Sequence, residues 1–164
     1  MLKKLLLLVV TGFFLASCAA TNTNQGGDVD AASSSSSSGS DSSITAGTQE
    51  DLIVNVGDRV FFEFDSSELT VDAQATLDAQ AAWLMQYPDT NITLEGHADE
   101  RGTREYNLAL GDKRAFAVYS YLAQAGIDTN RMEYISWGKE RPEVVGSNET
   151  AYSQNRRGVT TVTN

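Results

Sequence analysis

Four short stretches of the chain are predicted to be β-strands from the type and spacing of their apolar residues. Arg59–Phe64 is rich in aromatic and β-branched side chains, and Asn91–Glu95 alternates apolar and polar positions, as a half-buried strand does. The other two stretches are Met132–Trp137 and Val159–Val162. Gly158 lies at the start of the last strand, which predicts either a weakened strand or a bulge there.

A helix is predicted between the first two strands. Thr70 suits the N-cap position, because its hydroxyl oxygen can accept a hydrogen bond from a free backbone N–H. Leu77, Ala81 and Leu84 recur at i, i+4 and i+7 and mark the buried face of the helix. The helix should end by Tyr87, because the proline that follows disfavours helical geometry in the residue before it.

A second, longer helix is predicted to begin after Thr103, the expected N-cap, and to end near Gly126, which suits the C-cap. A glycine within its buried stripe would let this helix approach the sheet closely. We expect the core stripe to consist of Leu108, Gly111, Ala115, Val118 and Leu122.

These elements, with a short helix predicted over Ala151–Arg156, follow the order β-α-β-α-β-short α-β. We therefore predict a chain of the α/β class, built as an α+β sandwich. One mixed sheet should be covered on one face by the two long helices. Neighbouring strands that are joined by a helix are expected to run parallel.

A turn rich in Asp, Arg and Gly joins the second strand to the second long helix. In open α/β sheets, ligands usually bind at this edge, beyond the carboxyl ends of the strands. Asn107, Leu110 and Arg114 are spaced i, i+3 and i+7 and form a second stripe beside the core stripe. We therefore expect Arg114 at the rim of the sheet, beside the turn that carries Asp99.

The charge and composition of the chain exclude several classes of partner. The formal net charge is -10, whereas nucleic-acid binding needs clustered Lys and Arg to neutralise phosphates. Anionic lipid headgroups are disfavoured for the same reason. A catalytic metal would need about three protein ligands, and the chain contains one His and one Cys. We predict no nucleic acid, no metal and no cofactor.

The first 17 residues have the pattern of a cleaved signal peptide. Lys3 and Lys4 precede the apolar run Leu5–Leu15, which is too short to span a bilayer comfortably. Small residues then lead to Cys18, the only cysteine. This segment resembles a bacterial lipobox, which implies that Cys18 becomes the first mature residue and carries lipid. The alternative is ordinary secretion with an unmodified thiol.

Residues 18–51 are predicted to be the lipidated cysteine and a disordered linker, and residues 52–164 to be the folded domain. The linker is polar and includes the unbroken run Ser33–Ser38, so it cannot bury enough apolar surface to fold. A flexible coil of this length would span roughly 30 Å and hold the domain away from a membrane. A passive tail is the alternative.

Three stretches of the folded part carry a family resemblance: RVFFEFDSSEL (Arg59–Leu69), LEGHADERGTREYN (Leu94–Asn107) and AYSQNRR (Ala151–Arg157). The chain resembles the peptidoglycan-associated lipoproteins of Gram-negative bacteria. From about Leu52 onward it is similar to the C-terminal domain of outer membrane protein A and to the flagellar motor's peptidoglycan anchor. The resemblance implies a lipid anchor on the periplasmic face of the outer membrane, because the residue after Cys18 is not aspartate.

The resemblance also implies noncovalent binding of the peptidoglycan stem peptide through its meso-diaminopimelate residue, whose free end carries an ammonium and a carboxylate. Asp99 matches the acid that binds the ammonium. Arg114 matches the arginine that binds the carboxylate, a task for which a planar guanidinium is well suited. The other ligand-binding residues that it implies are Phe64, Asp65, Ser66, Asn107 and Leu110. Partners in the Tol system, including TolB, are implied as well.

Each of these residues also has a structural interpretation. Asp99 could cap its own turn by accepting backbone N–H bonds, and Arg114 could form a weak surface salt bridge on its own helix. Phe64 and Leu110 could be core residues first, and His97 is expected to be structural or a neighbour of the pocket. Because both charged residues are expected on the rim, removing either should cost no more than about 1 kcal/mol of stability.

A peptidoglycan hydrolase is the alternative function, with Glu95, Asp99 or Glu100 as acid and base. A glycosidase needs two carboxylates at a set separation across a sugar ring. Acids clustered in one short turn are better placed to bind a cation, and the sequence lacks a nucleophile–base pair. We therefore predict a binding protein and not an enzyme.

Overall fold

The structure is a computed structural model that describes residues 44–163. The predicted signal peptide, Cys18 and the linker run Ser33–Ser38 lie outside the described residues. Within the described range, no helix combines the length and the apolar character that crossing a membrane requires. The elements are α1 (Gln49–Asn55), β1 (Arg59–Phe61), α2 (Val71–Gln86), β2 (Ile92–His97), α3 (Arg104–Gln124), β3 (Met132–Gly138), α4 (Glu149–Asn155) and β4 (Arg157–Val162).

The four strands form one mixed sheet in the order β1-β4-β2-β3. Strand β4 is antiparallel to both β1 and β2, whereas β2 and β3, which α3 connects, are parallel. Gln80 of α2 accepts a hydrogen bond from Thr160 of β4. Val118 of α3 lies against Gly158 of β4. Gly158 precedes Thr160 by two residues, so the two lie on the same face of the sheet. Both long helices therefore cover the same face, and the predicted fold class is confirmed.

The ends of both long helices follow local rules that the sequence shows. The hydroxyl oxygens of Thr70 and Thr103 each accept a hydrogen bond from the backbone N–H three residues on, as N-caps do. Helix α2 ends at Gln86, directly before its C-cap Tyr87. Gly126 follows α3 with a φ of 99°, the left-handed conformation that favours glycine at the end of a helix. These boundaries are confirmed.

Helix α1 was not predicted, because its seven residues fall at the junction of the predicted linker and domain. Tertiary contacts hold it in place. Leu52 is fully buried in the core, and the Trp83 indole N–H donates to the Asp51 carboxylate at 3.0 Å. Hydrogen bonds, first from the backbone N–H of Gly47, lower the pKa of Asp51. A helix this short depends on packing more than on its own propensity.

All four strands differ from their predicted bounds. Strand β2 begins one residue later and ends two residues later than predicted, and β3 runs one residue further, to Gly138. Strand β1 ends at Phe61, because the chain turns away after Phe62 and leaves Phe64 61% exposed. Strand β4 begins earlier than predicted, at Arg157. Its register with both neighbours runs without interruption through Gly158, so the bulge considered there is absent. The irregularity in the sheet lies between Gly96 and His97 of β2 instead.

The core fills the space between the sheet and helices α2 and α3. Four of the five residues in the predicted α3 stripe are buried, but Leu108 is 49% exposed, so that assignment is wrong. At this end of α3 the buried positions belong to Asn107, Gly111 and Arg114. Polar side chains can hold such positions when their hydrogen-bonding groups find partners. The predicted face of α2, Leu77, Ala81 and Leu84, is buried as expected.

Candidate functional site

A cavity of about 180 Å³ opens between the turn after β1 and the turn that joins β2 to α3. Its volume suits the end of a side chain better than a drug-sized molecule, which needs at least about 300 Å³. Six of the seven residues proposed as ligand contacts lie around it; Ser66 does not. The lining residues are Phe64, Asp65, Ala98, Asp99, Arg101, Gly102, Tyr106, Asn107, Leu110 and Arg114.

Asp99 lies at the base of the β2–α3 turn and is only 5% exposed, so its expected place on the rim is wrong. Its Oδ1 accepts hydrogen bonds from the backbone N–H and the Nε of Arg101, both at 3.1 Å. Its Oδ2 lies 2.6 Å from Nη2 of Arg101 and 3.5 Å from Nη1 of Arg156. Burial alone would raise the pKa of Asp99, but the hydrogen bonds from Arg101 lower it. The carboxylate is therefore ionised at neutral pH.

Arg114 is fully buried, so neither the rim position nor the surface salt bridge is correct. Its guanidinium donates to three backbone carbonyl oxygens: Ser66 at 2.8 Å, His97 at 2.8 Å and Glu63 at 3.1 Å. Burial, together with the charge of Arg156, lowers the pKa of Arg114 to about 10. It stays protonated at neutral pH and joins the turn after β1 to the last residue of β2.

The remaining predicted residues contribute in different ways. Asp65 adopts the left-handed conformation, with φ at 53°, which is uncommon for residues other than glycine. Its carboxylate accepts a hydrogen bond from the Tyr106 hydroxyl. Asn107 is 2% exposed and donates to the backbone carbonyl of Arg101 at 2.8 Å. Ser66 contributes its backbone carbonyl, while its side chain caps the local turn at Glu68.

Four residues of the cavity lining were missed from the sequence: Ala98, Arg101, Gly102 and Tyr106. Arg101 is two positions after Asp99 in the same turn, and Tyr106 precedes Asn107 in the first turn of α3. Their proximity in sequence to two candidate residues was the available signal. An arginine in an exposed turn more often forms a solvated ion pair, so its type alone did not indicate a place at the site.

The other candidate acids and the histidine lie outside the cavity lining. Glu100 accepts a hydrogen bond from the Tyr152 hydroxyl at 3.0 Å, and Glu95 lies 3.3 Å from Nε2 of His97. Burial, followed by the charge of Arg157, lowers the pKa of His97 to about 3. Among residues 44–163, no cluster of three or more His, Cys, Asp and Glu side chains could hold a metal ion.

Comparison with known proteins places this geometry in a family. The OmpA family model matches residues 61–156. The chain is 60% identical over 116 residues to the peptidoglycan-associated lipoprotein of Brucella melitensis, a match that covers 71% of this chain and 69% of that protein. The chain belongs to the peptidoglycan-associated lipoproteins of the OmpA family.

Solved structures agree with this assignment. The crystal structure of the peptidoglycan-associated lipoprotein from Burkholderia pseudomallei is similar, with a TM-score of 0.63 and 42% identity, over 65% of this chain and 90% of that one. The C-terminal domain of Helicobacter pylori MotB has a TM-score of 0.60 at 21% identity, over 65% of this chain and 84% of that one. At that identity the likeness concerns the fold alone.

Proposed function

We propose that this lipoprotein binds peptidoglycan noncovalently and links the outer membrane to the cell wall without catalysing a reaction. The cavity would hold the meso-diaminopimelate of the stem peptide. The observation that carries the proposal is that a buried carboxylate, Asp99, and a buried guanidinium, Arg114, line the same small cavity. The family assignment supports the same function and a place among the Tol proteins, with TolB as a partner.

The free end of meso-diaminopimelate carries an ammonium and a carboxylate on one carbon, so it needs an anion and a cation close together. Asp99 would accept hydrogen bonds from the ammonium. Each terminal nitrogen of Arg114 has a second N–H besides the one that binds a backbone carbonyl. Those donors could hold the ligand carboxylate bidentately. Because Arg114 is already fixed by the protein, binding would cost little further ordering.

Replacing Asp99 with asparagine tests this assignment. The amide keeps the size of the side chain but removes the negative charge that faces the ammonium. Truncating a charge-assisted contact of this kind costs about 2–5 kcal/mol when it is buried, so we expect affinity to fall by about thirtyfold or more. Calorimetric titration with a stem peptide that contains meso-diaminopimelate measures the change.

The matched control is Asp112→Asn, which makes the same charge change at an exposed position of α3 outside the cavity. The control should bind like the wild type. Thermal melts would show whether each variant is folded. A folded Asp99→Asn protein with wild-type affinity would mean that the ligand binds elsewhere.

The lipid anchor is proposed separately, because Cys18 lies outside the described residues. Lipidation at Cys18 would fix the chain to the outer membrane, and more than one acyl chain gives stable anchoring. We expect Cys18→Ser to lose labelling by radioactive palmitate and to leave the membrane fraction or remain an uncleaved precursor. Palmitate label that persists on the serine variant would contradict the lipobox.

A further inference from the structure

The carboxylate proposed to bind the ligand ammonium is already paired with a cation inside the protein. Arg101 approaches Asp99 with two guanidinium nitrogens, at 3.1 and 2.6 Å. The same guanidinium lies between two aromatic rings, 4.2 Å from the centre of Phe64 and 4.3 Å from that of Tyr152. A ligand ammonium can form its full set of hydrogen bonds with the Asp99 carboxylate only if Arg101 gives up part of its own.

Arg101 has a second acidic partner close by. Its Nη1 lies 3.7 Å from a carboxylate oxygen of Glu149, at the start of α4. Glu149 is largely exposed, does not line the cavity, and also pairs with Arg156 at 2.7 Å. Two acids and two arginines thus form a ring in which each acid lies near both arginines: Asp99, Arg101, Glu149 and Arg156. A small movement of Arg101 could exchange Asp99 for Glu149 without leaving its charge unpaired.

We propose that Arg101 is a built-in competitor for the ligand ammonium. It occupies Asp99 in the free protein and moves toward Glu149 when the ligand binds. The inference rests on the proposed function, because it concerns the same cavity. It adds that Arg101 determines which charged groups a ligand needs in order to bind.

The consequence concerns the chemistry of acceptable ligands. An ammonium that replaces the guanidinium on Asp99 exchanges one charge-assisted contact for another, so its net gain in affinity is smaller than the new contact alone would give. A ligand that also brings a carboxylate to Arg114 adds a contact that has no internal competitor. Arg101 would therefore weaken the binding of ligands that offer an ammonium alone, such as a stem peptide with lysine in place of diaminopimelate.

Arg101→Gln tests the proposal, because a competitor and an ordinary ligand contact predict opposite changes in affinity when the arginine is removed. Removing a competitor should tighten binding of the diaminopimelate peptide by up to about fivefold, the value of a partly exposed ion pair. Binding of the lysine peptide should become measurable. Arg101→Lys, which keeps the charge but loses the two-pronged contact, should fall between wild type and Arg101→Gln. Arg104→Gln is the control, because Arg104 pairs with Glu140 outside the cavity.

Glu149→Gln provides a test of opposite sign. Without its second partner, Arg101 should hold Asp99 more firmly, so the diaminopimelate peptide should bind several-fold more weakly. In wild-type protein, the NMR signal of the Arg101 Nε–H should shift as the peptide is added, since that group leaves Asp99.

The outcomes separate the inference from the proposed function. Wild-type protein that binds the peptide, with unchanged or weaker binding by Arg101→Gln, would overturn the inference and make Arg101 an ordinary ligand contact or a bystander. An Arg101 Nε–H chemical shift that does not change when the peptide binds would also overturn the inference. Wild-type protein that does not bind the peptide at all would overturn the proposed function, and the inference with it.

Discussion

Replacing Arg114 with alanine is expected to lower the free energy of unfolding by about 3–5 kcal/mol, because a buried side chain and its three hydrogen bonds are lost together. The substitution leaves the backbone carbonyls of Glu63, Ser66 and His97 without their donor. A buried acceptor that loses its partner costs about 1–3 kcal/mol. The substitution also opens a void where the fully buried arginine side chain stood.

Urea unfolding followed by circular dichroism would measure this loss. Arg104→Ala is the matched control: it removes an arginine from the start of the same helix, but one whose side chain is 72% exposed and pairs with Glu140. That change should stay within about 0.5 kcal/mol of wild type. A loss of only about 1 kcal/mol for Arg114→Ala would instead match the rim position expected from the sequence.

The position of Arg114 changes how binding data on this protein should be interpreted. Its guanidinium holds the turn after β1 to His97, the last residue of β2. The turn after β1 lines the cavity, and so do Ala98 and Asp99, which directly follow His97. An Arg114→Ala protein would lose ligand binding even if the arginine never touched the ligand, because the cavity itself would change shape. Asp99→Asn is the clearer test, since it preserves side-chain size and leaves these carbonyl contacts intact.

The parts of the fold that were predicted correctly depend on local physics. Thr70 and Thr103 cap their helices by contacts within the same turn, and Gly126 adopts the backbone conformation that most other residues avoid. Such signals lie within a few residues of one another, so a sequence displays them directly. The alternation of apolar residues in β2 similarly reflects one buried face.

Most of the errors concern contacts between residues distant in sequence. Arg114 binds a carbonyl 48 residues away, and Trp83 binds Asp51, which holds α1 to α2. Neither pairing produces a periodic pattern of residues in the sequence. The choice of Leu108 for the core stripe followed apolar character, whereas the structure buries its neighbour Asn107, whose amide finds a partner in the adjacent turn.

The roles of the candidate site residues were predicted through family resemblance, whereas helical spacing indicated only that Arg114 lies beside the turn that carries Asp99. The turn's composition indicated a binding edge, but it could not distinguish a ligand-binding Asp99 from one that caps its turn. The structure shows that the capping contact exists, since Asp99 accepts the backbone N–H of Arg101. The two roles are compatible, because the same carboxylate lines the cavity.

The second large effect is expected at Gly96, where α3 comes closest to the sheet. A Cβ on Gly96 would overlap the carbonyl oxygen of Gly111 and lie 2.7 Å from its carbonyl carbon and 3.0 Å from the backbone nitrogen of Ala115. Backbone atoms cannot rotate aside as a side chain can. Gly96→Ala therefore requires α3 to move away from β2, and we expect a loss above about 4 kcal/mol or failure to fold.

Gly158→Ala is the matched control, because Gly158 is the cross-strand partner of Gly96 on β4. The three atoms nearest to a Cβ there all belong to side chains: methyl carbons of Val118 at 3.2 Å and Val60 at 3.4 Å, and a ring carbon of Phe62 at 3.5 Å. Small adjustments can relieve such contacts, so the loss should be about 1 kcal/mol. Urea unfolding of both variants measures the difference, and equal losses would show that the close approach of α3 does not determine stability. Because α3 carries Asn107 and Arg114, the separation that Gly96 and Gly111 permit also places these two side chains in the same cavity as Asp99.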